Sequence, residues 1–144
     1  AQGVKVIEFN ARFGDPETEV VLPLLESDAY DVFYGIATGQ LAMGDGQLAW
    51  RNEATIGVVL ASKGYPGDYA KGAVIEGVEQ FDGPVFHMGT KNDNGVLKTN
   101  GGRVMMCIAT GKDIAEAQAK VYKEIEKIHC DNLFYRKDIA HWAL

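Results

Sequence analysis

Arg103-Val104-Met105-Met106-Cys107-Ile108-Ala109, followed shortly by a helical pattern from Asp113 to Ile128, is the stretch that decides the fold. The first run is almost wholly apolar and short, as a buried strand is. The second opens on Asp113-x-x-Glu116, which resembles a capping box, and places Ile114, Ala117, Val121, Ile125 and Ile128 on one stripe at helical spacing. A strand followed by a one-sided helix calls for a sheet that the helix covers. Working backwards, Val96-Leu97-Lys98-Thr99 precedes Asn100-Gly101-Gly102, and Asn-Gly between two strand-like runs predicts a hairpin because it accepts positive φ. Pro84 to Met88 and Thr55 to Ala61 supply further extended runs, separated by glycine-rich connections. The expected architecture is α+β, a small antiparallel β-sheet or barrel-like domain with a packed helix, its strands following one another as a meander from Thr55 to Ala109.

Towards the start of the chain the pattern changes. Asp28 to Thr38 reads as a helix with Val32, Phe33, Ile36 and Ala37 on one side and Gly39 as its stop. Gly14-Asp15-Pro16-Glu17 reads as a turn into an earlier helix, with Asp15 at the N-cap, Pro16 in the first helical position and Pro23 interrupting it. Val4 to Arg12 reads as a strand that puts Ile7, Phe9 and Ala11 on one face and Glu8, Asn10 and Arg12 on the other. A boundary falls near residues 40 to 50, dividing residues 1–45 from 46–144. The chain opens on Ala1 without a methionine and is in a strand pattern by Val4, which reads as a fragment or a processed chain. The Val4 strand is then expected to lack partners.

Composition narrows the function classes. With 144 residues, 47% of them hydrophobic, the chain can bury a core. A net charge of -6 gives no surface on which a nucleic-acid backbone would condense, so small-molecule partners are expected. Cys107 and Cys130 lie far apart without CxxC spacing, and both read as reduced thiols in a cytoplasmic setting. No apolar run approaches the roughly 20 residues that cross a bilayer, and no signal segment opens the chain.

The chemistry concentrates at Glu8, Asn10 and Arg12. A carboxylate and an amide carbonyl two apart on one strand face are ligands that a hard cation such as magnesium selects. A guanidinium one step further along holds a phosphate or carboxylate beside that metal. The same E-x-N-x-R alternation also describes the solvated face of an amphipathic strand. Asp15 and Glu17 suit substrate amines or a helix cap equally. The Asn100, Gly101 and Arg103 turn offers backbone amides and a cation to an anion, or is a plain hairpin turn. His87, His129 and Cys130 lack regular ligand spacing. Gly64-Tyr65-Pro66-Gly67 lacks the ending of a phosphate loop.

The longer string Val6 to Thr18, containing Arg12-Phe13-Gly14-Asp15-Pro16-Glu17-Thr18 and followed by Val21-Leu22-Pro23-Leu24-Leu25, resembles the end of the ATP-grasp domain of glycinamide ribonucleotide synthetases. Lys63-Gly64-Tyr65-Pro66, Val85-Phe86-His87-x-Gly89-Thr90-Lys91, Thr99-Asn100-Gly101-Gly102-Arg103-Val104 and Tyr135-Arg136-x-Asp138-Ile139-Ala140 resemble landmarks of that family's C-terminal domain, in the same order. The resemblance implies that residues 1–45 are the C-terminal end of an ATP-grasp domain and residues 46–144 the C-terminal domain. It implies ATP as co-substrate, Mg2+ or Mn2+ held by Glu8 and Asn10, Arg12 as the catalytic cation, and glycine and 5-phosphoribosylamine as substrates. It also implies N-terminal domains beyond this chain, without which the chain alone is inactive. The alternatives are a non-catalytic binding or assembly module and an ATP-grasp ligase with another acceptor. They part at the Glu8-Asn10-Arg12 face, which a ligase needs open to a nucleotide and a module does not.

Overall fold

The structure, a computed structural model, describes residues 3–40 and 48–144. Its centre is a four-stranded antiparallel sheet. Strand β1 (Ala54–Ser62) pairs with β5 (Arg103–Gly111), β2 (Val85–His87) lies on the other side of β5, and the short β6 (Leu133–Phe134) pairs with the end of β1. The register runs from Ala54 opposite Gly111 to Leu60 opposite Met105, then shifts so that Ala61 meets Arg103. Helix α3 (Ile114–Ile125) crosses one face of this sheet. Ile56, Val58 and Leu60 from β1 meet Met105, Cys107 and Ala109 from β5 beneath Ala117, Val121 and Ile125. Each large aliphatic side chain removed from water here contributes on the order of 1.5–3 kcal/mol.

The helix stripe expected from the sequence is therefore the one used, with Ile114 and Ile128 packed at its margins. Asp113 accepts the Glu116 N–H at 2.8 Å, and the Glu116 carboxylate reaches back to the Lys112 N–H at 3.0 Å. The first bond satisfies one of the amide groups left unpaired at a helix start, and the second ties down the residue just before the cap. The helix ends at Ile125, one turn before the expected Ile128.

The other face of the sheet is covered too. Helix α1 (Thr18–Val21) and the 3-10 turn Leu22–Leu24 lie against it, with Val20 seated over Gly57, where a β-carbon would come within 2.7 Å of Val20 Cγ1. Met106 and Ile108, which point to this side, are 3% and 0% exposed. Two-sided burial is why β5 reads as a continuous apolar run and not as an alternation.

The meander is not observed. Strand β4 (Val96–Thr99) pairs with β3 (Thr90–Asp93) in a separate two-stranded sheet, while β5 joins β1 and β2. The hairpin turn is Asn94-Gly95, with φ of 53° and 88°, and Asn100-Gly101-Gly102 is instead the passage between two sheets. Both Asn-Gly pairs accept positive φ. The two-residue loop between equally long strands wins because it closes a ladder directly.

Helix α2 (Ala29–Thr38) has its N-cap at Asp28, which accepts from Tyr30 and Asp31 N–H, and ends at Gly39 as expected. Its buried positions are Val32 and Gly35; Phe33, Ile36 and Ala37, expected on the covered side, are exposed. Asp15 does not cap α1: the N-cap position is Glu17 with no side-chain cap bond, and Pro16 follows a cis peptide bond ahead of the helix. Val4 to Arg12 forms no strand, and Ile7 and Phe9 are 98% and 88% exposed. Alternation fixes which side chains share a face but supplies no neighbouring strand, and without one the backbone ladder has no partner. The expected boundary at 45/46 lies outside the described residues, as does part of the segment leading to it. Beyond it, Leu25 bridges Trp50 and Arg51 N–H bonds Leu24 O at 2.8 Å.

Cys107 is fully buried, and this pushes its thiol from 9.0 up to about 12. An unfolded chain loses that proton near its ordinary value while the native state holds it, so the contribution is intact below pH 9 and is lost as pH rises towards 12. Urea midpoints are expected to fall through this window more steeply than in Cys107→Ala, whose neutral-pH stability is lower. Parallel profiles for the two proteins would show that the thiol is not shielded.

Candidate functional site

The chain before α1 carries the candidate chemistry in an extended, solvent-facing row. Asn10 Nδ2 donates to Glu8 Oε1 at 3.1 Å. Arg12 Nη1 in turn donates to Asn10 Oδ1 and to the Phe13 carbonyl oxygen, the latter at 3.2 Å. Contacts between residues two apart put all three side chains on one side of the backbone, as the alternation implied, although no strand is formed. All three are exposed.

The donor types suit a hard cation, two carboxylate oxygens from Glu8 and one amide oxygen from Asn10. Glu8 Oε1 accepts from Asn10 and Asn10 Oδ1 from Arg12, so an ion held by both would move the Arg12 guanidinium off that oxygen. Among the described residues no group of three or more His, Cys, Asp or Glu is arranged to hold a metal. An ion at Glu8 and Asn10 would therefore complete its shell with water and substrate oxygens, which is the usual habit of magnesium and not of a closed protein cage. Arg12 sits beside that position with a planar, permanently charged donor group.

Phe13 anchors the end of the row, its ring edge-on to Phe33 of α2 at 5.5 Å. Asp15 is engaged by Arg103: Nη1 reaches Oδ1 at 3.1 Å, Nη2 reaches Oδ2 at 3.2 Å, and Nη1 also reaches the Asp15 carbonyl oxygen at 3.0 Å. Two residues singled out separately in the sequence thus hold each other. Glu17 folds its carboxylate back over Gly14, whose β-carbon would lie 2.3 Å from it.

The turn containing Asn100 and Gly101 is fastened on both sides. Asn100 N–H donates to Gly89 O at 2.7 Å, Ser62 Oγ donates to Gly101 O at 2.8 Å, and Ser62 N–H donates to Gly102 O at 2.8 Å. The Asn100 amide is committed to protein, while Arg103 projects towards Asp15. Ser62, buried to 0% exposure, was not found by sequence reading, since a lone serine at a strand end carries no signal.

A second feature escaped the sequence. Phe13, Gly14, Asp15, Thr18, Glu19, Leu22, Pro23 and Phe86 line a cleft of about 640 Å³ between the α1 segment and β2. Glu19 Oε2 is buried there without a protein hydrogen bond. Only the packing of α1 on the sheet brings Phe86 and Phe13 to the walls of one cleft, and no local pattern announces it. His87 is exposed, with Nδ1 2.9 Å from Thr90 Oγ1, and His129 is exposed with its backbone bridged to Glu76.

Comparison with known proteins places this arrangement. A family model described as phosphoribosylglycinamide synthetase, C domain, matches residues 55–142. A phosphoribosylamine–glycine ligase of Halalkalibacterium halodurans is 53% identical over 146 residues, covering 100% of this chain and 33% of that protein. One from Pseudomonas aeruginosa is 47% identical over 143 residues, covering 97% of this chain and 33% of its own length. The crystal structure of a phosphoribosylamine–glycine ligase from Thermotoga maritima superposes with a TM-score of 0.80 at 37% identity, over 94% of this chain and 33% of that one. The chain thus spans about a third of the length of the relatives it matches. The family match over residues 55–142, together with 53% identity across the whole chain, shows that the chain belongs to the phosphoribosylglycinamide synthetase family, with residues 55–142 corresponding to its C domain.

Proposed function

We propose that this chain is the C-terminal part of a ligase that uses ATP to join glycine to 5-phosphoribosylamine, giving glycinamide ribonucleotide, ADP and phosphate. The observation that carries the reading is the 53% identity, over the whole chain, to a protein named for that reaction. The Glu8-Asn10-Arg12 row supports it chemically. Residues 1–45 are the end of the ATP-grasp domain and residues 46–144 the C-terminal domain. The remaining domains of the same enzyme are the partners, the setting is cytoplasmic, and the chain alone does not turn over. Among the described residues no helix is long and apolar enough to cross a membrane.

In the first step a glycine carboxylate oxygen attacks the γ-phosphorus of ATP; the new O–P bond forms as the bond to ADP breaks. In the second, the amine of phosphoribosylamine attacks the glycyl carbonyl; the C–N bond forms, phosphate leaves, and the amine loses a proton. Magnesium or manganese at Glu8 and Asn10 supplies neutralisation of phosphate charge when bound. Glu8 and Asn10 orient that charge, and Arg12, exposed beside them, steadies the transferring phosphoryl group or the acyl phosphate. Glu17, with no protein hydrogen bond to its carboxylate among the described residues, is the acidic candidate for a substrate amine. Asn100 and Gly101 lie in the turn that precedes Arg103, whose guanidinium holds Asp15.

A full-length ligase carrying this sequence is expected to release ADP and phosphate in equal amounts only when both glycine and phosphoribosylamine are present. Equal turnover with an unrelated amine or carboxylate would make it a ligase with another acceptor or donor. Activity of the 144-residue chain by itself would overturn the division of labour between domains.

A further inference from the structure

We propose that Asp15 and Arg103 form a positioning pair that fixes the Glu8-Asn10-Arg12 row relative to the central sheet, and that neither contacts substrate. The proposal deepens the ligase reading and, for its kinetic consequence, rests on it. Of the ion pairs among the described residues, four join residues within five positions of each other, and this one alone ties the segment before residue 41 to the sheet. The two residues are 88 positions apart. The Arg103 side chain is 35% and the Asp15 side chain 52% exposed, a degree at which an ion pair adds little to global stability. Its contribution is geometric. A planar guanidinium that meets both oxygens of one carboxylate and the main-chain oxygen of the same residue fixes the orientation of Asp15 as well as its distance.

Both ends of the contact are themselves held. Arg103 opens β5 opposite Ala61, and the turn before it is fastened to Ser62 and to Gly89. Beyond Asp15, Gly14 O accepts the Thr18 N–H at 3.1 Å, so the approach to α1 is shaped from the same point. Arg12 lies three residues from Asp15, about 10 Å of chain at most, with Phe13 packed on Phe33 between them. The row is thus tethered on a short leash from a rigid strand. A displacement of about 1 Å at a reacting group is enough to cost on the order of 10²-fold in rate.

Asp15→Asn, Arg103→Gln, their double variant and the exchanged pair Asp15→Arg with Arg103→Asp form the test. In the 144-residue chain, amide exchange at Thr18 is expected to accelerate by about tenfold in each single variant, while exchange at Val121 in the buried helix stays unchanged. In a full-length ligase carrying this sequence, each single change is expected to lower kcat by about tenfold or more with the KM values little altered. The double variant should be no worse than either single one, and the exchanged pair should recover part of the loss. Unchanged Thr18 exchange would overturn the proposal, as would a raised KM for one substrate at normal kcat, the sign of direct contact. An inactive wild-type ligase would instead count against the ligase reading, and the exchange measurement alone would then judge the pair.

Discussion

Glu8→Gln and Asn10→Ala, made in a full-length ligase carrying this sequence, are expected to lose metal-dependent turnover by roughly 10²-fold or more, the scale of removing one preorganised electrostatic partner of a transition state. The direction follows from the geometry. Each change removes or weakens one of the two hard oxygen donors in the row, while Arg12 and the fold beneath are left in place. Because the row is exposed and no closed cage is present among the described residues, an ion there would be retained mainly by these donors and by substrate oxygens. Raised magnesium is therefore expected to restore part of the rate by mass action. Arg12→Lys behaves differently. It keeps the charge and loses the planar fork, so its rate falls without magnesium rescue. Initial rates against magnesium concentration separate the two behaviours. Near-wild-type rates at low magnesium for all three variants, each normally folded, would reduce the row to a solvated surface.

The row was legible in the sequence because alternation alone fixes which side chains lie together, and the Glu8, Asn10 and Arg12 contacts require nothing more. Helix α3 was legible for a related reason: its cap and its apolar stripe are both local patterns, and the fold uses both. What the sequence could not convey was partnership. The apolar residues of Val4 to Arg12 looked like half of a core, yet Phe9 is 88% exposed. The strand signal at Val96 to Thr99 was correct, but its partner is β3 and not β5, since two Asn-Gly pairs compete and local chemistry ranks them equally. Asp15 read as a helix cap for the same reason. An aspartate before a proline satisfies the local rule, while the guanidinium that claims it lies 88 positions away. Residues whose role is set within a few positions were readable, and those set by long-range approach were not.

Gly89 is such a residue, and Gly89→Ala is expected to destabilise the chain by about 2–3 kcal/mol, towards the upper end of the usual cost of overpacking. Gly89 has no left-handed φ, so the backbone itself would accept a side chain. Space does not allow one: a β-carbon there would lie 2.4 Å from Arg103 O and 2.8 Å from Gly101 Cα. Both are main-chain atoms in a passage fastened by Ser62 and by the Asn100 N–H bond to Gly89 O, so neither can swing aside as a flexible side chain would. The alanine must instead push β5's first residue away from the loop after β2, which also moves Arg103 from Asp15. Gly95→Ala provides the contrast. Nothing lies within 4 Å of its β-carbon position, but φ is +88°, and the expected loss is about 1 kcal/mol of backbone strain alone. Urea unfolding of the two variants should therefore rank them clearly, and Thr18 amide exchange should accelerate only in Gly89→Ala. A Gly89→Ala protein as stable as Gly95→Ala, with Thr18 unaffected, would mean that the passage beside Arg103 has slack and that Asp15 is not held from a rigid point.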